Sequence, residues 1–474
     1  MLKISKKILS LAVVAGVAFS SLSGVASPVL AEKEEENPEI KNVIFLVGDG
    51  MGVSYTSVYR YFSDSKESKF VEQTGFDPYL VGQQMTYPED PEENITDSAS
   101  AATAMSAGVK TYNNGIAVDN DGSEVKTVLE RAKELGKSTG LVATSEITHA
   151  TPASFGAHDH SRHNMNEIAD DYYDELVNGE HKIDVLLGGG TDLFDREDRN
   201  LIEEFEEDGY SYVTTKEDLF EDDNEQVLGL FANRGLPKLI DRTEETPSLE
   251  DMTRSAIDRL NQNEEGFFLM IEGSQIDWAG HDNDIVAAMS EMEDFEGAFN
   301  AAIEFAMEDE HTLVVATADH STGGYSIGAD GIYNWFSEPL KAAKRTPDFM
   351  AAEIAGGADV EETLAEYIDL ELTEEEIQSV KDATETEDTV EIDNAIEKIF
   401  DQRSHTGWTT GGHTGEDVPT YAFGPSSERF IGQIENTDNA KIIFDILENG
   451  EKDIVIEDKD IVEEEEEADN AEEK

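Results

Sequence analysis

The sequence predicts an α/β fold of three layers, a largely parallel central sheet flanked by helices. Three observations predict it: apolar, β-branched runs recur along the chain, glycine or an acid bounds each of them, and helix-period stretches lie between them. The first run, residues 42–47, leads into Gly48-Asp49-Gly50-Met51-Gly52. The run 184–187 ends in Gly188-Gly189-Gly190, a strand-to-loop turn that lacks the Gly-Lys-Ser/Thr ending of a phosphate loop. The run 267–271 leads into Glu272-Gly273, and 312–317 into Ala318-Asp319-His320. Runs without polar alternation fit strands buried on both faces. Helical patterns cover 124–135 and 249–261. Functional groups of such sheets collect beyond the C-terminal strand ends, which would gather Asp49, Glu272, Asp319 and His320. One acid at a strand end is commonly a helix cap; four acids and imidazoles on three strand ends are harder to dismiss. From 329 to 404 the pattern degrades into an acidic, helix-rich stretch, read as an insertion sitting on the sheet, and the chain resumes at Gly407-Trp408-Thr409.

Composition bounds the function. The 474 residues include 34 basic and 106 acidic side chains, a formal charge of −72. A polyanion of this strength repels phosphate backbones, which excludes a general nucleic-acid binder. With 38% hydrophobic residues the chain can build a sizeable core. The absence of cysteine excludes disulfide scaffolds, thiol catalysis and sulfur-ligated zinc, so any metal must be held by His, Asp, Glu and oxygen donors.

Lys3, Lys6 and Lys7 precede an apolar run from Ile8 to Phe19, and small residues lead to Val29-Leu30-Ala31. This reads as an export signal, residues 1–31, cleaved near Ala31. The run is shorter than the ~20 residues of a bilayer span, so an anchor ranks behind a secreted or periplasmic chain with no membrane partner. Residues 32–474 are read as one catalytic domain, closing in an acidic, solvating tail at 463–474. The acidic surplus suggests salt adaptation, since a Debye length of about 3 Å at 1 M salt hides self-repulsion. A plain solvated acidic surface is the simpler alternative.

The chemistry-bearing residues come in small groups. In Asp97-Ser98-Ala99-Ser100-Ala101, a run of small residues starts a tightly packed helix, with Ser98 at its N-terminus, where N–H groups favour an anion. On these residues alone, Asp97 or Ser98 as a simple N-cap is the stronger reading. Asp277 and His281 stand four apart, on one side of a helical turn, and either bind an ion or form an ordinary exposed pair. Asp319 and His320 face opposite ways in a regular strand and converge only if the strand ends there. His413, among glycines and threonines, has no apolar face to make it a core residue. His158, His160 and His163 read as packing and orienting groups.

Taken together, Gly48-Asp49-Gly50-Met51-Gly52, Asp97-Ser98-Ala99, Ala150-Thr151-Pro152, Ser161-Arg162, Glu272-Gly273, Ile276-Asp277 with His281, Ala318-Asp319-His320 and Gly412-His413-Thr414-Gly415 resemble the alkaline phosphatase family. The pieces run in family order over about residues 41–418. The resemblance implies a secreted phosphomonoesterase, commonly a homodimer, with a crown-like insertion at 329–404. It implies two zinc ions and one magnesium per subunit: one zinc on Asp277, His281 and His413, a second on Asp49, Asp319 and His320 with Ser98, and magnesium on Asp49, Thr151 and Glu272. It further implies a phosphoserine intermediate on Ser98, with Arg162 gripping the phosphate and small-molecule phosphate monoesters as substrates of broad specificity. Arg162 as a surface salt bridge is the alternative without the motif. Where some members have aspartate and lysine, this chain has His149 and Trp278, which bears on whether the third ion is magnesium, zinc or another divalent ion. A related metal-dependent phosphodiesterase or phosphomutase is the nearest rival, and an acidic extracellular cation binder is a rival of another class.

Overall fold

The computed structural model describes residues 40–67 and 69–449. The expected export signal and acidic tail lie outside the described residues. Ten strands form the main sheet: β1 (Asn42–Gly48), β2 (Leu80–Met85), β3 (Ser138–Glu146), β4 (Val185–Gly189), β5 (Ser211–Val213), β6 (Val227–Leu230), β7 (Phe267–Gly273), β8 (Thr312–Thr317), β9 (Val418–Phe423) and β10 (Gly432–Glu435). Their spatial order is β10-β2-β9-β8-β1-β7-β3-β4-β6-β5. Only β9 runs against the rest, so the sheet is largely parallel as the apolar runs predict.

Alternation along β1 shows why its sequence is continuously apolar. Ile44 and Leu46 enter one core, with Leu249, Met252, Phe295 and Phe299 from the Leu249–Leu260 and Ile285–Asp309 helices. Val43, Phe45 and Val47 enter the other, with Ala99, Ala102, Ala153, Phe155 and Ile443 from the Ser98–Ala107, Ala150–Gly156 and Asn436–Asn449 helices. Both faces are therefore covered, which completes the three layers.

Local signals set the helix ends. The expected helix from 124 starts at Val128, because Thr127 and Glu130 form a capping box. Ser248 and Asp251 do the same for Leu249–Leu260. Strands β2 and β3 escape a periodicity reading because LVGQQM and STGLVATSE carry glycine and polar residues. Tertiary contacts satisfy those groups; Asp184 Oδ2, for instance, accepts from Thr139 N at 2.9 Å.

Between the two-residue strands Ser326–Ile327 and Thr406–Gly407, which pair antiparallel, the chain forms helices that include Pro347–Ala355 and Thr389–Ser404. Among the described residues no helix is long and apolar enough to cross a membrane.

Candidate metal centre

The ends of β1, β7 and β8 lie side by side, with Val47 in register with Glu272 and with Thr317. That register brings Asp49, Glu272 and Asp319 together, all fully buried. Strand β8 stops at Thr317, which frees Asp319 and His320 from strand alternation. His320 Nε2 lies 3.1 Å from Asp319 Oδ2 and 3.5 Å from Asp49 Oδ1. The Gly50 amide donates to Asp319 Oδ1 at 3.0 Å. Gly50 has φ of +72°, and a Cβ there would stand 2.8 Å from Asp277 Cα and Thr322 Oγ1. Only glycine allows this approach.

Ser98 opens the Ser98–Ala107 helix, and Asp97 is its N-cap, accepting from Ser100 N at 2.9 Å. Asp97 thus takes the capping role, which leaves the Ser98 hydroxyl free of it. The small residues let the helix pack closely: Ser106 Oγ donates to Ser154 O at 2.6 Å, and Ser154 Oγ to Ala99 O at 3.3 Å. Ser98 is buried, and its Oγ lies 3.2 Å from His320 Nε2.

The Gln275–Asp282 helix carries Asp277 and His281 one turn apart, with His281 Nε2 3.3 Å from Asp277 Oδ2. His413 joins them from the other end of the chain. Its Nε2 lies 3.0 Å from His281 Nε2 and 3.6 Å from Asp277 Oδ1, and its ring stacks on His320 at 3.6 Å. Both histidines are oriented from behind: His281 Nδ1 meets Gly411 O at 2.7 Å and His413 Nδ1 meets Thr96 O at 2.9 Å. Donation to those carbonyls leaves both Nε2 atoms as lone-pair donors toward the centre.

Behind this pair, Glu272 Oε2 accepts from Ser274 Oγ at 2.6 Å. Thr151 Oγ1 is buried without a hydrogen-bond partner. His149 stands closer to the carboxylates than an outer supporting role requires, since its ring can share a ligand group with Asp49 and Glu272, the donor atoms lying within 4.8 Å of one another. The same separation unites Asp49, Asp319 and His320, and likewise Asp277, His320 and His413. Arg162 bridges Asp97 and His149, with Nη1 3.1 Å from Asp97 Oδ2 and Nη2 3.1 Å from His149 Nε2. Trp278 sets its ring edge-on to His149 at 5.8 Å.

The electrostatics fit divalent cations. Asp49 Oδ1 and Oδ2, Glu272 Oε1 and Asp319 Oδ2 are buried with no hydrogen-bond partner. Burial, with Asp319 and other acids close by, holds the Asp49 carboxyl far above the usual range, and burial pushes Glu272 up to about 7. Asp277 goes the other way: burial opposes its ionisation, but His281, His320 and His413 outweigh it. The hydrogen bond to Asp277 lifts His281 to about 9, whereas burial and the neighbouring His320 lower His413 to about 4. Burial and Arg162 bring His149 down to about 3, keeping it neutral. Buried carboxylate oxygens that lack hydrogen-bond partners are costly alone, and together with imidazole nitrogens they are the donor set that zinc and magnesium take.

The thirteen residues expected to bind metal or phosphate or to support those that do all lie in or against this one cluster. His158 does not; it packs between Val125 O, Glu130 and Glu175. Sequence reasoning missed Thr322, whose hydroxyl donates to Asp277 Oδ1 and lies 3.3 Å from His320 Nδ1. It also missed Ser274 and Ser145, which hold Glu272. The only signal for Thr322 and Ser274 is position, two residues after His320 and Glu272, and Ser145 stands near the end of β3 with no motif residue just before it.

The chain is similar to known proteins over most of its length. The family model for alkaline phosphatase matches residues 40–449. The chain is 70% identical over 454 residues to alkaline phosphatase 3 of Bacillus subtilis, covering 94% of this chain and 98% of that one. Alkaline phosphatase 4 of the same organism is 58% identical over 419 residues, covering 88% and 91%. Among solved structures, a cold-active alkaline phosphatase from the psychrophile Shewanella sp. gives a TM-score of 0.81 at 41% identity, covering 86% of this chain and 99% of that one.

Proposed function

The chain belongs to the alkaline phosphatase family, and from that premise we propose that it hydrolyses phosphate monoesters in two transfers, first to Ser98 and then to water. The observation that carries this reading is the position of Ser98 Oγ, 3.2 Å from the His320 nitrogen that also faces Asp49 and Asp319. Asp277, His281 and His413 would hold one zinc, and Asp49, Asp319 and His320 a second. Asp49, Glu272 and Thr151 would hold magnesium, with His149 close enough to favour zinc or another divalent ion there. When bound, these ions supply charge that stabilises a serine alkoxide, a leaving oxygen and a hydroxide.

The protein's own groups do the positioning. The helix N-terminus aims backbone N–H groups at the place where the phosphate must sit. Arg162 presents a planar guanidinium that can grip two phosphate oxygens, and Asp97 and His149 fix its plane from behind. Ser98 Oγ gives up its proton to solvent and forms a bond to phosphorus as the bond to the alcohol oxygen breaks; the alcohol leaves with a proton from solvent. Water oxygen then bonds to phosphorus, the bond to Ser98 Oγ breaks, and the serine regains its proton as phosphate departs.

Trapping at acidic pH followed by peptide mass spectrometry tests this reading. It should find phosphate on Ser98, and Ser98→Ala should lose the label together with about three or more orders of magnitude in turnover. Unchanged turnover in that variant would remove the proposal. The same reading extends to the whole protein as an exported homodimer cleaved near Ala31, with an acidic surface suited to saline surroundings. N-terminal sequencing, light scattering, and stability from molar to millimolar salt check these in turn.

A further inference from the structure

The three groups above do not exhaust the buried acids. Asp282 closes the Gln275–Asp282 helix, Asp284 caps the Ile285–Asp309 helix, and Asp348 lies in the first turn of Pro347–Ala355. Asp393 and Glu397 stand one turn apart on Thr389–Ser404 and so share a face of that helix. One oxygen each from Asp282, Asp393 and Glu397 lie within 4.8 Å of one another.

A cluster of acids alone would mean little. Here Asp393 and Glu397 are only 3% and 5% exposed, and Asp393 Oδ1 and Glu397 Oε1 have no hydrogen-bond partner. None of the five acids makes an ion pair with a lysine, arginine or histidine among the described residues. Lys238 and His281 face Asp282 only at longer range. The groups pressing on Glu397 are Asp284, Asp393, Asp282 and Asp401, all of one sign. Leaving such carboxylates unpaired in the interior is costly.

We propose that Asp282, Asp393 and Glu397, with Asp284 and Asp348 beside them, form a fourth divalent-cation site, of calcium type, that fastens the Thr389–Ser404 helix to the turn following His281. The donors are all oxygen, which disfavours zinc. Calcium takes several oxygen ligands in a flexible arrangement, whereas magnesium demands near-octahedral geometry and keeps its waters, so a set of carboxylates alone suits the larger ion. Asp282 and Asp348 also line a cavity of about 710 Å³. The site is distinct from the catalytic groups but adjoins them, because His281 directly precedes Asp282. Its occupancy would hold the helical segment in place against the catalytic end of the sheet without taking part in the reaction.

The experiment uses the enzyme saturated with zinc and magnesium. Calcium should bind with one further ion per chain by calorimetry and raise Tm by a few degrees. Terbium should give saturable luminescence that calcium displaces. Trp408 can sensitise it, since its Nε1 donates to Asp401 Oδ1 at 3.1 Å, one turn beyond Glu397. The double variant Asp393→Asn/Glu397→Gln should bind terbium and calcium at least about tenfold more weakly, with turnover of a phosphate monoester unchanged. Absence of a saturable calcium step in the wild-type holoenzyme overturns the proposal, as does an equal step in the folded double variant. If the double variant does not fold, Asp393→Asn alone replaces it under the same criterion. Because the readout is calcium binding to holoenzyme, loss of this site and loss of the Ser98 mechanism remain separate outcomes.

Discussion

Arg162 Nη1 stands 3.1 Å from Oδ2 of Asp97, the residue whose other oxygen caps the helix that opens at Ser98. The same Oδ2 accepts from Asn114 N at 3.1 Å. One carboxylate therefore sets both the start of the serine's helix and the direction of the guanidinium. Asp97→Ala should cost about 1 kcal/mol of stability through the lost cap and raise KM for phosphate monoesters about tenfold, with a smaller change in kcat. Steady-state kinetics beside a denaturation curve checks this; an unaltered KM in a folded variant contradicts the coupling.

Thr322 is the hidden support of the first histidine group, donating to Asp277 and touching His320. Thr322→Val keeps the shape and removes the hydroxyl. Metal retention should weaken by about 10–100-fold, read as zinc loss against a chelator of graded strength, and added zinc should restore activity. Retention equal to wild type would show that the hydroxyl does no orienting.

Gly50 has no space for a side chain, and its φ of +72° disfavours one. Gly50→Ala should cost about 1–2 kcal/mol from the backbone alone and displace Asp277 or Thr322. Its expected signature is a lowered Tm with kcat/KM down by about a hundredfold or more. A fully active, equally stable variant would mean that the backbone shifts freely there.

Removing divalent ions should reverse the usual pH preference. Burial raises Glu272 to about 7, Asp284 to about 8 and Asp393 to about 9. An acid whose folded pKa is raised gives stability that is complete below its unfolded value near 4 and is lost as pH climbs through the folded value. His281, raised to about 9 by Asp277, also loses its share there. Asp277 is lowered, so its contribution is already complete above about pH 4 and is constant over this window. Chelated protein should therefore show a Tm that falls by several degrees or more from about pH 5 to about pH 9, and the metal-replete enzyme a flatter profile. A chelated Tm that rises with pH would contradict the assignment of unpaired buried acids.

Much of the site was legible because its residues sit where secondary structure stops. Strands β1, β7 and β8 announce themselves by unbroken apolar runs, and Asp49, Glu272 and the Asp319-His320 pair stand at or just past their ends. Ser98 is marked by the small residues that follow it, and Asp277 with His281 by helical spacing. Thr322, Ser274 and Ser145 were invisible because hydroxyls after a turn have many uses. The polar strands β2 and β3 were hidden for a related reason, since their groups are satisfied by distant partners such as Asp184.

Sequence alone determined the fold class, the acids and imidazoles at the strand ends, and the absence of sulfur ligands, because periodicity and composition act over a few residues. Only tertiary structure decided that His413 meets His281 and stacks on His320, that His149 approaches Asp49 and Glu272, and that Asp393 and Glu397 face Asp282. Those meetings join residues far apart in the chain. Burial then fixes their chemistry, by removing the water that would have screened each charge separately.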